Sequence, residues 1–295
     1  MTIYGNGLLT LDHLVAVDIF PRRDEKRNVK KLVQQPGGPV PNALAFCGRS
    51  GLNIELAAEI GDDCPGLMVH DFWQMQGFSS RFISRSPDIK TPQAFVLIEE
   101  KYGQRTVFLH YPNKAITEIS SDFLSLPGKG DFFLTDGRFP ETQLELTKAA
   151  YSRGACTLLD PGNREIDLQL WQDYISHMIV SKTFIVKNYG EIDLFSALHK
   201  LRRGGVMSAA ITLGAGGAIV LCGENPEFIP PKKVKAVDTN AAGDIFHGAF
   251  IYGLAKAYEL IDAYNFANRA AAFSTQFTGT HHPELNAASI SETEE

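Results

Sequence analysis

From Asp131 onward the chain alternates short apolar runs with longer amphipathic ones, and that alternation confines it to helices packed on a sheet. Residues 132–135 (FFLT), 156–160 (CTLLD), 183–187, 207–213 and 217–222 read as strands. Between and after them, 140–153, about 166–176, 190–203, 242–257 and about 261–276 carry the helical period. Strands this short and apolar need cover on both faces, which a mostly parallel sheet with crossover helices supplies. The fold class is therefore α/β.

The first third is different. Strand-like 2–8 is followed by 13–19 and 29–35, with Pro21 and the charged run RRDEKR between them, and a helix is expected over 41–50. Residues 92–99 and 105–111 form a second hairpin around Lys101–Gly103. The two hairpins read as a small antiparallel flap over one edge of the main sheet; the alternative is that they are edge strands of that sheet. The expectation is one domain over 1–285, with lid strands at about 13–35 and 92–111 inserted. A mobile acidic tail is expected over 286–295.

At this length folding hides roughly three quarters of the unfolded chain's surface, so a sizeable core is available. The 28 Lys and Arg against 34 Asp and Glu leave a formal charge of −6. There is no basic excess to draw in nucleic acid or an anionic membrane. Asp12 and Asp18 interrupt the apolar N-terminal stretch, which lacks a basic lead and so does not read as a signal peptide. The longest uncharged run, Gly204–Gly223, contains six glycines and reads as two strands around a turn, not a membrane span. Four cysteines without CxxC, and histidines without HExxH, suggest neither a disulfide framework nor a zinc site. A cytoplasmic protein is expected, with no nucleic-acid or membrane partner.

The segment with most chemistry is Asp238-Thr239-Asn240-Ala241-Ala242-Gly243-Asp244, running straight into an apolar helix. Small residues at a helix N-terminus let backbone N–H groups face a ligand, and the helix dipole favours an anion there. Asp244 reads either as a helix cap or as a carboxylate that accepts a proton from a hydroxyl attacking a bound phosphate.

These residues resemble the Asp-Thr-x-Gly-Ala-Gly-Asp signature of the ribokinase-like (PfkB) sugar kinases, with Ala241 in place of the usual glycine. The resemblance spans roughly Ile3 to Thr280 and implies a three-layer sandwich with a β-flap lid. Gly37-Gly38-Pro39-Val40-Pro41-Asn42 resembles the element that holds sugar hydroxyls; read alone it is a turn into a helix. Asp12 stands where the family places an acid at the end of the first strand, and Gly61-Asp62-Asp63 matches a structural turn. Asn188-Tyr189-Gly190-Glu191 resembles the Asn-x-x-Glu element that organises Mg²⁺; an amide and a carboxylate at i and i+3 share one face of a helical turn. Alone, that pattern is a common cap.

Thr212-Leu213-Gly214-Ala215-Gly216-Gly217 resembles the loop beside the nucleotide, and is otherwise a hairpin turn. Asn268 falls where adenine contacts are common. Arg105 lies where ketohexokinase-like members place an arginine, and could equally be a solvated surface charge. Asp136-Gly137-Arg138 is similar to a Gly-Arg found in ketohexokinases. Asp160-Pro161-Gly162-Asn163-Arg164 is similar to the family's Asp-x-Asn-x-Arg, with Asn displaced by one. His247, one turn past Asp244, reads as packing beneath the anion hole or lining the pocket. The absence of GxxxxGK[ST] argues against a P-loop kinase.

The resemblance implies an ATP-dependent sugar kinase with Mg²⁺, often K⁺. An exposed antiparallel flap edge tends to be covered, which is compatible with a homodimer through the flap. Asp244 would be the base, the N–H groups of Ala241, Ala242 and Gly243 the anion hole, and Arg105 a catalytic cation. Asp12, Gly37, Gly38 and Asn42 would hold the sugar. Thr212, Gly214, Gly217, Asn268 and Asn188 would border the nucleotide, and Asn188 with Glu191 would hold the metal. The Gly-Gly-Pro-Val-Pro-Asn spelling points first to an unphosphorylated ketose such as fructose. Ribose or a nucleoside is the alternative, with Phe95, Phe108 and Tyr111 available to sandwich a base. A catalytically silent sugar-binding protein is the reading from another class.

Overall fold

The computed structural model describes residues 1–101, 104–111 and 120–292. The chain opens with β1 (Ile3–Asn6), β2 (Thr10–Val17), β3 (Lys31–Gly37), α1 (Pro39–Arg49), β4 (Ile54–Gly61), α2 (Cys64–Met75) and β5 (Ile83–Ser86). It continues through β6 (Gln93–Glu99), β7 (Gln104–His110), α3 (Ser121–Ser125), β8 (Phe132–Thr135), α4 (Pro140–Ser152), β9 (Cys156–Leu159) and β10 (His177–Ser181). After these come α5 (Lys182–Tyr189), α6 (Leu194–Leu201), β11 (Ser208–Thr212), β12 (Ala218–Leu221) and β13 (Glu227–Ile229). The last elements are α7 (Ala242–Ala255), α8 (Leu260–Ser274) and α9 (Ala287–Glu292).

Nine strands form one sheet in the order β13-β12-β11-β10-β9-β8-β1-β4-β5, parallel except where β12 and β13 turn back at one edge. One face carries α1, α7 and α8 over a core that includes Phe46, Trp73, Phe250 and Tyr264. On the other, Trp171, Phe184, Leu198 and Leu201 pack beneath α5 and α6. The four strands β3-β2-β6-β7 form a separate sheet, so the hairpins are a flap and not edges of the main sheet. Each hairpin is antiparallel, and a parallel β2–β6 pair joins them. Side chains alternate across this flap: Ala94, Val96, Arg105, Val107 and Leu109 face the cavity below, while Phe95 and Phe108 stand 42% and 54% exposed outside.

Several expectations change. The strand expected at 183–187 is helix α5, and the strand lies earlier, at β10. Ser181 caps that helix by accepting from the Phe184 N–H, and Phe184 and Ile185 are buried while Val186 and Lys187 are exposed, a helical period the β-branched run obscures. The helix expected near 166–176 resolves into two short 3₁₀ turns, Leu168–Leu170 and Gln172–Tyr174. The 190–203 helix starts only at Leu194, because Gly190, at φ 70°, ends α5. Part of the expected tail is α9, whose Ile290 is fully buried in the main core. Residues 102–103 of the expected turn and 293–295 of the tail lie outside the described residues. Among the described residues no helix is long and apolar enough to cross a membrane.

Candidate active site

The strand order reverses between β8 and β1, and the cavity opens along the carboxyl ends of the parallel strands, where open α/β sheets place their ligands. Leu8 follows β1, Arg138 follows β8, Asp160 follows β9, and Ser181 and Thr212 end β10 and β11; all line a cavity of about 1320 Å³. That volume is enough for two small molecules.

Helix α7 points its N-terminus into this cavity. Asp238, buried in the preceding loop, accepts from the N–H groups of Asn240 at 2.8 Å and Gly279 at 2.9 Å, which fixes the approach. Ala241 then takes the left-handed conformation, φ 57° and ψ 14°, and no side chain among the described residues caps the helix. The first-turn N–H groups are left facing the cavity, and no atom lies within 4 Å of the position a Gly243 side chain would take. An anion fits where that side chain is missing.

Asp244 follows in the same turn. Its Oδ2 accepts from the Asn42 Nδ2 at 2.7 Å, and Asn42 Oδ1 accepts from the Thr280 hydroxyl at 2.8 Å. Desolvation, then the Asp160 carboxylate, push Asp244 up to about 8, against the Asn42 hydrogen bond and the Arg105 charge. Asp12 stands within β2 and not at the end of β1, since the flap strand begins at Thr10. Burial pushes it up to about 6, opposed by the Thr10 hydroxyl that donates to it at 2.5 Å. Arg105 reaches down from β7 and donates to the Thr239 hydroxyl at 3.1 Å.

Of the residues expected at the site, Asp12, Gly38, Asn42, Arg105, Thr212, Gly214, Gly217, Asn268 and Ala241 to Asp244 all line the one cavity. Gly38 needs its φ of 106°, because a side chain there would meet the Leu8 carbonyl at 2.0 Å. Gly37 does not line the cavity; its bareness leaves room for the Asp12 carboxylate. Asn268 donates to the Pro230 carbonyl at 2.9 Å from α8, at the end of the cavity bordered by Gly217, Ala272 and Thr275.

Asn188 and Glu191 are not brought there. Asn188 donates to the Arg164 and Phe184 carbonyls, each at 3.0 Å, and accepts from Ile166 N–H at 3.2 Å. Glu191 lies beyond the Gly190 break, so the helical face the pair was expected to share does not form. These two do not fit a Mg²⁺ beside the phosphates, and no described group of three or more His, Cys, Asp or Glu side chains is placed to hold a metal. Asn163 lines the cavity, bonded to Ser181 at 2.7 Å, whereas Arg164 turns away to the Asp136 carbonyl.

Phe95 and Phe108 face away from the cavity and Tyr111 packs with Leu8 and Phe139, so the aromatic sandwich does not form. Sequence reasoning missed Lys182, Lys232 and Lys233 on the cavity wall. Their position at strand ends and the turn after β13 was the available signal. Arg138 also lines the cavity, and its buried Nε has no hydrogen-bond partner among the described residues.

An open helix N-terminus, a carboxylate in its first turn and a basic rim suit the binding and transfer of a phosphoryl group. The sequence model of the pfkB family carbohydrate kinase matches residues 6–287. The chain belongs to that family, and is a phosphotransferase with an alcohol group as acceptor. It is similar to a ribokinase of Staphylococcus aureus, 24% identical over 291 residues, covering 92% of this chain and 93% of that one. A nucleoside kinase of Methanothermobacter thermautotrophicus is 23% identical over 282 residues, covering 93% and 89%. The solved Arabidopsis thaliana ribokinase complexed with ribose and ATP superposes with a TM-score of 0.81 at 21% identity, over 98% of this chain and 97% of that one.

Proposed function

We propose that this enzyme transfers the γ-phosphate of ATP to a hydroxyl of ribose or a closely related pentose, with Asp244 as the general base. The observation that carries the reading is the Asp244 carboxylate beside the open first turn of α7, in one cavity with Asp12 and Gly38. The attacking hydroxyl would lie between Asp12 and Asp244, and the transferred phosphoryl group against the N–H groups of Ala241, Ala242 and Gly243. Arg105 and the dipole of α7 would offset the charge that develops there. Val96, Val107 and Leu109 of the flap roof the cavity, and an apolar roof keeps water from competing for the phosphoryl group.

Fructose, the first expectation, yields to ribose because the relatives above are ribokinases and a nucleoside kinase. The missing aromatic sandwich favours the free sugar over the nucleoside. Thr212, Gly214, Gly217 and Asn268 would border the nucleotide. The donor would be ATP as its Mg²⁺ complex in a cytoplasmic setting, and the need for K⁺ is left to the assay below. A second copy of the chain would cover the outward apolar side chains of the flap, Phe95, Phe108 and Leu32.

The test is ADP release from MgATP over ribose, nucleosides and fructose, with K⁺ present or replaced by tetramethylammonium. The expected result is ribose-dependent turnover that Asp244→Asn lowers by about 10²–10⁴-fold. Undiminished turnover in that variant would remove Asp244 as base, and turnover with fructose alone would restore the ketose.

A further inference from the structure

One buried pair behind the base is unused by the mechanism above. Asp160, at the carboxyl end of β9, is 7% exposed, and His247, one turn along α7 from Asp244, is 3% exposed. His247 Nδ1 lies 3.3 Å from Asp160 Oδ2 and 2.9 Å from the Gly243 carbonyl, while Nε2 lies 3.3 Å from the Ile179 carbonyl. Among the described residues, the atoms within hydrogen-bond reach of the ring nitrogens are all acceptors. A neutral imidazole would turn a lone pair against one of these oxygens, so the arrangement suits a ring with a hydrogen on each nitrogen. Asp160 Oδ1 is meanwhile occupied, accepting from the Gly162 N–H at 3.0 Å.

We propose that His247 is a positioning residue: as a buried imidazolium it neutralises Asp160, and so allows Asp244 to ionise and take the proton of the attacking hydroxyl. This rests on Asp244 being the base. The charged groups that act on Asp244 are Asp160 and Asp12, which oppose its ionisation, and Arg105, which favours it together with the Asn42 hydrogen bond. Carboxylates crowded together do not all ionise near neutrality unless cations stand among them. Arg105 serves from the flap and His247 from the core. The same ring holds the Gly243 carbonyl, tying the ion pair to the first turn that forms the anion hole.

The experiment is the pH profile of kcat for the wild type, His247→Asn, Asp160→Asn and the double variant, together with nitrogen NMR of the histidine rings. The wild type is expected to show one buried ring protonated on both nitrogens at pH 7, a signal absent from His247→Asn. In His247→Asn the acid limb moves up by about one pH unit, the scale of losing an opposite charge nearby. Turnover at pH 7 then falls about tenfold and returns towards pH 9, with KM for ATP unchanged.

Asp160→Asn moves the limb down, and the double variant brings it back to the wild-type position. A neutral ring at pH 7 would overturn the proposal, as would a uniform loss of activity at every pH that the double variant does not repair. If His247→Asn does not fold, the ring signal and the Asp160→Asn profile still decide. If Asp244→Asn turns over normally, the base reading fails and this role falls with it. A protonated ring with an unmoved limb overturns only the inference about His247.

Discussion

Gly243 and Ala241 show how much one methyl group decides at the site. Gly243 sits in helical backbone with open space where a side chain would go, so Gly243→Ala adds a better helix former and fills the proposed anion hole. The expected outcome is a fold more stable by up to about 1 kcal/mol in thermal unfolding. Turnover falls by about 10²-fold, the scale of losing one anion-hole donor. Ala241 stands where the family signature has glycine, yet holds φ 57°, a conformation costing an alanine about 1–2 kcal/mol. Ala241→Gly relieves that strain but adds freedom to the unfolded chain, so stability should rise by less than about 1 kcal/mol with turnover retained. A marked destabilisation would mean that the methyl, 8% exposed, packs usefully.

At the scale of elements, the lesson is how capping and tertiary contacts override local pattern. The motif at 238–244 was legible because its geometry is local: small residues, then a carboxylate, at one helix start. The Asn188–Glu191 pairing was not, because Gly190 ends α5 between them and Asn188 is drawn to the 164–166 segment. Asp160 and His247 lie 87 positions apart, since 247 − 160 = 87, and only the packing of α7 against β9 and β10 brings them together. The C-terminal segment offers an independent check. Ile290→Ala should cost about 2–5 kcal/mol in denaturant unfolding, as for other buried isoleucines, whereas in a mobile tail it would cost nothing measurable.

For the whole molecule, buried titratable groups set the pH dependence of stability. Asp12 and Asp244 are raised to about 6 and about 8, so the folded state holds their protons where the unfolded chain releases them. Their stabilising contribution is complete below the unfolded carboxylate range and is lost as pH rises through those values. His177 and His281 are pushed down by burial to about 4 and about 3, which works the other way, and their contribution is lost as pH falls below about 6.5. The two sets oppose one another between about pH 4 and 6, and of these four groups Asp244 alone still titrates above 6.5. The melting temperature should therefore fall from pH 6.5 to 8, and Asp244→Asn should flatten that slope and melt higher at pH 8. Equal slopes in the two proteins would remove Asp244 as its source.

The α/β class, the flap hairpins and the α7 signature are properties of residues near one another in the chain, where periodicity, turn chemistry and helix-terminus physics act over a few positions. Composition likewise shows the lack of a basic excess, 28 Lys and Arg against 34 Asp and Glu. Only the tertiary structure decided that Asp12 belongs to a flap strand, that Asn42 donates to Asp244, and that Lys182 and Asp160 stand on the cavity wall while Asn188 and Glu191 do not. Such placements depend on which strand ends meet at the sheet's switch point. That is settled by burying two helical layers against one sheet, a balance struck over the whole chain that no local window contains.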